Sequence, residues 1–465
     1  MTAEEEQLST ETVLEATGGV LVQGDTQTSF AGVSTDSRSI RPGELFFALR
    51  GEQFDGHRFF SEAIQRGGRG GVIQQEVERT SDKTIAIIKV GNTLQALGDV
   101  AHWWRRRHPI PLMVVVGSNG KTTTKEMVAG ILGNKGKVLK NPGNLNNLIG
   151  LPLSLLKMNA KDRAAVLELG MNRAGEILRL TRIAEPDIGI LTNIGPVHLE
   201  GLGSIEGVMK AKGELLQGMG ARGRLIFNAD DPRVVELSKG FQGEKTAFGV
   251  KNPADWQATD IRTRDAGGVS FQLKGSAGTI PVSLKLMGRH QVYNALAAAA
   301  AASHLGVGME AIKEALEAFQ PPPMRMELMA LGKGIRIIND AYNANPPSME
   351  LALRTLEEVT GGKKIAVLGD MWELGEHAEQ AHRELGRQAQ ERGVDLLFLL
   401  GRFAPQVAHG AQEAGMAPQA ICIGKDHHAV SLRLAQAVKK GDWILIKGSR
   451  IMKMEEIIKE LRDTL

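Results

Sequence analysis

The sequence predicts an α/β fold in three domains, and three observations predict it. Apolar, β-branched runs alternate with helical periodicity over most of the chain, the pattern of parallel sheets covered by helices. Proline-rich punctuation falls twice, at His108-Pro109-Ile110-Pro111 and at Gln320-Pro321-Pro322-Pro323, where a helix cannot continue. A chain of 465 residues exceeds one ordinary core and, at about 100 to 200 residues per domain, asks for about three. The expected units are residues 1–108, small and mixed α/β; 109–323, a central parallel sheet with a small antiparallel annex; and 324–465, a Rossmann-like α/β unit.

Taken in order, the first 100 residues mix short strands and helices with polar turns, and a helical stretch runs from Thr93 to Arg107. After the first proline cluster, Leu112 to Val116 reads as a buried strand, and a helical pattern follows the small-residue turn behind it. Apolar runs at Ala165 to Leu169, Ile188 to Thr192 and Arg224 to Phe227 are each followed by helical periodicity, whereas residues 255–284 alternate in short strands with Gly turns. Beyond the second cluster the strands expected are Ile335 to Ile338, Lys364 to Leu368, Leu396 to Leu400, Ala420 to Ile423 and Trp443 to Ile446. No GxGxxG occurs in this last unit, so a dinucleotide fingerprint is absent from it.

Composition excludes several classes. The net charge is only +3, spread along the chain, and the one dense basic cluster, Arg105-Arg106-Arg107-His108, ends a helix whose dipole it complements, so no nucleic-acid surface is indicated. Cys422 is the only cysteine, which rules out an internal disulfide and fits a reducing compartment. The longest apolar run, Ala295 to Ala302, is eight residues against the eighteen or more of a membrane span, and the N-terminus is acidic; a cytoplasmic, monomeric protein is expected.

The strongest chemical signal is LMVVVGSNGKTTTKEMVAGILG, residues 112–133: a strand breaks into Gly117-Ser118-Asn119-Gly120-Lys121-Thr122-Thr123 and a helix begins. Glycines let backbone N–H groups crowd a polyanion, Lys121 adds positive charge, and the Thr122 hydroxyl can reach a magnesium ion, so the loop is expected to hold ATP. The usual pattern has four residues between its glycines, and here there are two, with Val115 where the first glycine would stand. Glu168, ending one strand, and His198, in Asn193-Ile194-Gly195-Pro196-Val197-His198, are candidate magnesium ligands on the same side of the sheet. Taken singly, Glu168 reads equally as a solvated charge and His198 as a loop histidine; the combination selects them. Asn144, Asn146 and Asn147 lie in a Gly-rich turn and are either ligand-binding amides or turn residues. His377 and His382, five apart, lack zinc-site spacing and read as a solvated helix face.

Read in order, GSNGKTTTKEM, NPGNLNNLIGLPL, LELGMNRAGEI, LTNIGPVHLEGLGSIEGVMKAKGELL, GRHQVYNALAAAAA, RMEL, NDAYNANPPSM, VLGDMWELGEHAEQAHRELG and KGSRIMKME resemble the Mur ligases of bacterial wall synthesis over nearly the whole chain. The segments from Val33 to Arg38, Pro42 to Leu49 and Asp55 to His57 are similar to that family's UDP-binding N-terminal domain. For residues 1–108 the resemblance implies UDP-sugar binding, with Asp36, Ser37, Arg38 and Phe47, together with Asn144, Asn146 and Asn147, as substrate contacts. It implies that Gly117 to Thr123 hold the ATP phosphates, that Thr122 and Glu168 bind one magnesium ion and His198 a second, and that Lys212 is carbamylated and orients the metals. Asn294 would meet the adenine, and Arg325 and Asp340 the phosphates and ribose across the proline-rich junction.

The reaction so implied transfers the γ-phosphoryl of ATP to the carboxylate of UDP-MurNAc-tripeptide and then admits the amine of D-Ala-D-Ala, with Lys121, Glu168, His198, Lys212 and Arg325 as the catalytic set. A tripeptide-forming relative carries Asp-Asn-Pro-Arg, absent here, and the stretch from Asp340 to Pro346 reads as the dipeptide-adding type. A nucleotide-dependent regulatory module is the alternative of a different class. Three positions depart from the family pattern: Val116 for threonine, Gln291 for asparagine and Met324 for glycine.

Overall fold

The computed structural model describes residues 7–51, 54–78, 80–264 and 267–464. Three larger sheets follow one another along the chain. The first has five strands in the spatial order Val20–Gln23, Ala86–Lys89, Gly70–Ile73, Glu44–Phe47 and Gly32–Ser34, parallel except at the Val20–Gln23 edge. The helix Thr93–Arg107 then carries the chain onto the second sheet, starting at Asn92, whose side chain accepts from the Gln95 N–H. Its apolar face buries Leu97, Val100, Ala101 and Trp104, and the Trp104 indole donates to the Met158 carbonyl at 3.0 Å.

The second sheet has nine strands, with Leu112–Val116 between Ile188–Leu191 and Asp162–Glu168. From Leu112–Val116 the chain runs out to Lys137–Lys140 on one side, returns, and later builds outward on the other, so the order of strands reverses at the C-terminal end of Leu112–Val116. Such a switch point opens a crevice for ligands. All five residues of that strand are fully buried. Leu112, Val114 and Val116 join the core shared with Thr93–Arg107, while Met113 and Val115 face the helices Lys121–Gly133 and His290–Ser303. Burial at about 1.5 to 3 kcal/mol per large side chain makes this strand the anchor of the site. The helix His290–Ser303 is buried on every face, because Ala297 to Ala302 offer no polar side and let it lie close to Lys121–Gly133.

The third sheet has the order Glu327–Leu331, Ile335–Asn339, Trp443–Lys447, Lys364–Gly369, Leu396–Leu400 and Ile421–Gly424, parallel except for its first strand.

The expected strands recur to within a few residues, with three differences. The expected antiparallel annex, Trp256–Thr263, Val269–Gly275 and Gly278–Leu284, is present but joined to the central sheet, because Trp256–Thr263 pairs in parallel with Glu244–Gly249. Glu327–Leu331 is a strand that the sequence reading lacked; its Met and Glu content hid it, and pairing with Ile335–Asn339 makes it. His382 is fully buried rather than solvated: its Nε2 accepts from the Met371 N–H at 2.9 Å, its Nδ1 lies 2.6 Å from the Ala378 carbonyl, and its ring stacks on Phe403. The basic cluster is only partly absorbed, and Arg106 stays exposed beside Glu185. Arg105 is buried and donates to the carbonyls of Ala184, Glu185 and His108, and Arg107 lies 3.9 Å over the Trp103 ring.

Candidate active site

The helix Lys121–Gly133 begins at Gly120, whose φ of +80° a glycine adopts freely. A Cβ there would stand 2.3 Å from Asn294 Oδ1, and one on Gly117 would stand 1.9 Å from Thr192 Oγ1, so close packing requires both glycines. The loop is held from below: the Ser118 and Asn119 N–H groups donate to the Asn193 carbonyl and side-chain oxygen at 2.9 Å each. The first-turn N–H groups of Lys121, Thr122 and Thr123 lack helical acceptors, the arrangement that suits an anion at a helix N-terminus. Gly117 contributes its carbonyl instead, accepting from Lys121 Nζ and Lys212 Nζ at 2.9 Å each.

Beside the loop, the Thr122 hydroxyl donates to Glu168 Oε2 at 2.6 Å and the Asn146 amide donates to Oε1 at 2.8 Å. Burial would raise the Glu168 pKa, but the charges of Lys121 and Arg325 outweigh it and hold the carboxyl below its usual value. Burial draws Lys121 down from the ordinary lysine value, with Glu168 opposing. Lys212, on the helix Ile205–Met219, is 3% exposed, and burial reinforced by the Lys121 charge drives its pKa well below the ordinary value. His198 has φ +53°; its buried Nδ1 has no aligned hydrogen-bond partner, although Glu373 Oε2 lies 2.7 Å away.

The third sheet closes the cleft from the other side. Arg325, just past the prolines, rests its guanidinium 3.9 Å over the Tyr342 ring. Asp340, at the end of Ile335–Asn339, accepts from the Met326 N–H at 3.0 Å and pairs with Lys447. The Asn345 amide donates across the cleft to Asn119 Oδ1 at 3.2 Å. Loop, Asn144, Asn146, Asn147, Glu168, His198, Lys212, Arg325 and Asp340 line one cavity of about 550 Å³. A second of about 400 Å³ adjoins it and shares Asn119, Gly120, His290 and Asn294. Both lie in the range of small-molecule sites. Asn294 itself is tied down, its Oδ1 3.3 Å from the Thr124 hydroxyl and its amide donating to Gln291 at 2.8 Å.

The expected contacts of the first sheet fall outside this cavity. Asp36 and Arg38 pair with each other at 2.7 Å in a turn of the first sheet, and Ser37 donates to Glu62. Phe47 is fully buried within Glu44–Phe47; alternation along the strand turns its ring into the core, where it packs instead of meeting a ligand. Asn147 accepts from the Ile149 and Gly150 N–H groups, a turn role. Residues that sequence reasoning left unassigned are Asn141, Asn345, Glu373 and Lys447; each sat inside a motif already noted, which was the available signal.

This architecture, with a lysine-bearing phosphate loop facing a second α/β unit across a closed cleft, is that of an ATP-dependent ligase. Family models described as the Mur ligase catalytic domain, middle domain and glutamate ligase domain match residues 29–105, 115–302 and 324–450. The chain belongs to the Mur ligase family. Among curated relatives, the UDP-N-acetylmuramoyl-tripeptide–D-alanyl-D-alanine ligase of Bacillus subtilis (strain 168) is 39% identical over 446 residues, 94% of each chain. The enzyme of that name from Escherichia coli (strain K12) is 37% identical over 93% of each. Among solved structures, MurF from Acinetobacter baumannii superposes with a TM-score of 0.90 at 32% identity over 99% of each chain. MurF from Thermotoga maritima in complex with ADP gives 0.83 at 29% identity, covering 93% of this chain and 97% of that one.

Proposed function

We propose that this chain joins D-alanyl-D-alanine to the terminal carboxylate of UDP-MurNAc-tripeptide, consuming ATP through an acyl phosphate, as a step in peptidoglycan precursor synthesis. The observation that carries the reading is the single cleft in which Lys121, Thr122 and Glu168 of the central sheet face Arg325 of the third. A carboxylate is a poor electrophile at neutral pH, so phosphorylation must precede attack by an amine. Lys121 and Arg325 stabilise charge on the transferred phosphoryl group, and the first-turn N–H groups position the ATP phosphates. Asn294 reads the adenine from the adjoining cavity, and Asp340 orients the ribose side of the nucleotide.

Two magnesium ions fit the donor set. A carboxylate and a hydroxyl 2.6 Å apart at Glu168 and Thr122 are hard oxygen donors, and His198 leaves a buried ring nitrogen without an aligned partner. Magnesium bound there would neutralise charge on the phosphates and on the group in transfer. Burial disfavours the charged form of Lys212, and the neutral amine is the form that combines with carbon dioxide, which supports carbamylation of Lys212 and an anionic group to orient the ions. The units 1–108, 109–323 and 324–465 would bind the UDP-sugar, bind ATP and complete the site. Asp36 and Arg38, with the buried Ser37 between them, and Asn144, Asn146 and Asn147 are the substrate contacts retained here.

Cys422 is the only cysteine, and this supports a reducing, cytoplasmic setting. Among the described residues no helix is long and apolar enough to cross a membrane.

A coupled phosphate-release assay tests the reading. Phosphate is expected only when ATP, UDP-MurNAc-tripeptide and D-alanyl-D-alanine are all present. Lys121→Ala should abolish its release, and Lys212→Ala should be partly rescued by a small added carboxylic acid. Release without tripeptide or dipeptide would instead support a regulatory ATPase, and an unaffected Lys212→Ala would remove the metal-orienting role.

A further inference from the structure

An acceptor amine reaches the activated carboxyl through cationic surroundings, for Lys121, Lys212, Arg325 and Lys447 all line the cleft. The N-terminus of a dipeptide is largely an ammonium at neutral pH, so it enters against like charge unless an anion receives it. Four carboxylates line the same cleft: Glu168, Glu176, Asp340 and Glu373. Glu168 accepts from Thr122 and Asn146 at the foot of the phosphate loop, Glu176 accepts from the Asn172 and Arg173 N–H groups, and Asp340 is paired with Lys447.

Glu373 is differently placed. Its side chain is 54% exposed, and the side chain beside it at 2.7 Å is the His198 imidazole rather than a lysine or arginine. It belongs to the third-sheet unit and lines the shared cleft opposite His198 of the central unit, in a turn with φ +64° whose Gly375 packs near Glu200. Its carboxylate thus stands at the mouth between the two halves of the site.

Building on the ligase reading, we propose that Glu373 receives the α-ammonium of the incoming dipeptide and delivers its nitrogen to the activated carboxyl. The role is recognition of charge. Once the ammonium has released one proton to water, the nitrogen lone pair forms the C–N bond. The C–O bond to phosphate breaks with its electron pair on oxygen, and the second proton leaves with inorganic phosphate.

Glu373→Gln keeps the shape and removes the charge. Its KM for D-alanyl-D-alanine is expected to rise about 10- to 100-fold, the worth of one charge-assisted hydrogen bond, with the KM values for ATP and UDP-MurNAc-tripeptide unchanged. Hydroxylamine, neutral at the assay pH, converts acyl phosphates to hydroxamates and brings no ammonium, so variant and wild type should form hydroxamate at equal rates. An unchanged dipeptide KM overturns the assignment. So does a fall in hydroxamate formation parallel to that in dipeptide ligation, which would place Glu373 at the metals or in cleft closure. A wild-type protein that forms no hydroxamate from ATP, tripeptide and hydroxylamine refutes the acyl phosphate itself, and this inference with it.

Discussion

Arg325 is aimed by backbone that most residues avoid. Met324 and Met326 flank it with φ of +61° and +53°, a left-handed conformation that costs a side-chain-bearing residue on the order of 1 kcal/mol. The turn is kept by Glu327, which accepts from the Met324 N–H, by Asp340, which accepts from the Met326 N–H, and by the Tyr342 ring under the guanidinium. A glycine at position 324 would relieve the first of these strains, so Met324 carries a cost that this chain offsets with hydrogen bonds. His290, between the two cavities, is a second residue with a measurable consequence. Burial, with Lys447 adding to it and Asp340 opposing, holds its pKa down to about 4 from 6.5. The unfolded chain binds that proton first, so stability is fully present above pH 6.5 and is lost as pH falls toward 4. Scanning calorimetry across this window should show a steeper fall of Tm for wild type than for His290→Gln; equal slopes would remove His290 as a cause.

At the scale of elements, Glu168 owes its position to the neighbouring strand. Asn141, fully buried at the end of Lys137–Lys140, accepts from the Glu168 N–H at 2.9 Å and donates to the carbonyls of Glu168 and Leu145 at 2.9 and 2.8 Å. One amide thereby clamps a strand end to the loop that carries Asn146. Beneath it Lys125, also buried, donates to the Asn141 carbonyl at 2.5 Å and lies 3.2 Å from Glu126. Asn141→Ala strands three buried backbone groups and is expected to cost about 2 to 3 kcal/mol, read as a lower urea midpoint at unchanged m-value. A loss under about 0.5 kcal/mol, the size of an ordinary surface substitution, would show that the clamp is dispensable.

At the scale of the molecule, the three sheets meet through few polar fastenings and one shared core. Trp104 and Leu97 of Thr93–Arg107 join the same apolar cluster as Leu112 and Val114, so the first unit is packed onto the second. Arg105 fixes the direction of approach through the Ala184 and Glu185 carbonyls, with Asp187 3.4 Å away. Arg105→Ala leaves the buried Ala184 carbonyl without this donor and should destabilise the protein by about 2 kcal/mol in denaturant titration, whereas a surface arginine such as Arg106 should cost little. The third unit meets the central one through Asn345 on Asn119, Glu373 beside His198, the Thr263 hydroxyl on Glu358 and Met287, which packs into the third unit's core.

Much of this was legible in the chain. Leu112 to Val116 is an apolar run that must be buried on both faces, Thr93–Arg107 carries its own cap and proline stop, and Gly-Lys-Thr-Thr between strand and helix announces an anion site, because each of these follows from local chemistry alone. Partnership across the fold was not legible. Phe47 and His382 carry ordinary residue types whose burial depends on which strand or helix lies opposite, and Glu327–Leu331 becomes a strand only when Ile335–Asn339 offers its edge. Asn141, Glu373 and Lys447 acquire their neighbours solely when segments distant in sequence close around one cleft. Local preferences are written residue by residue, but the energy of burial and hydrogen bonding belongs to pairs, and folding alone decides the pairs.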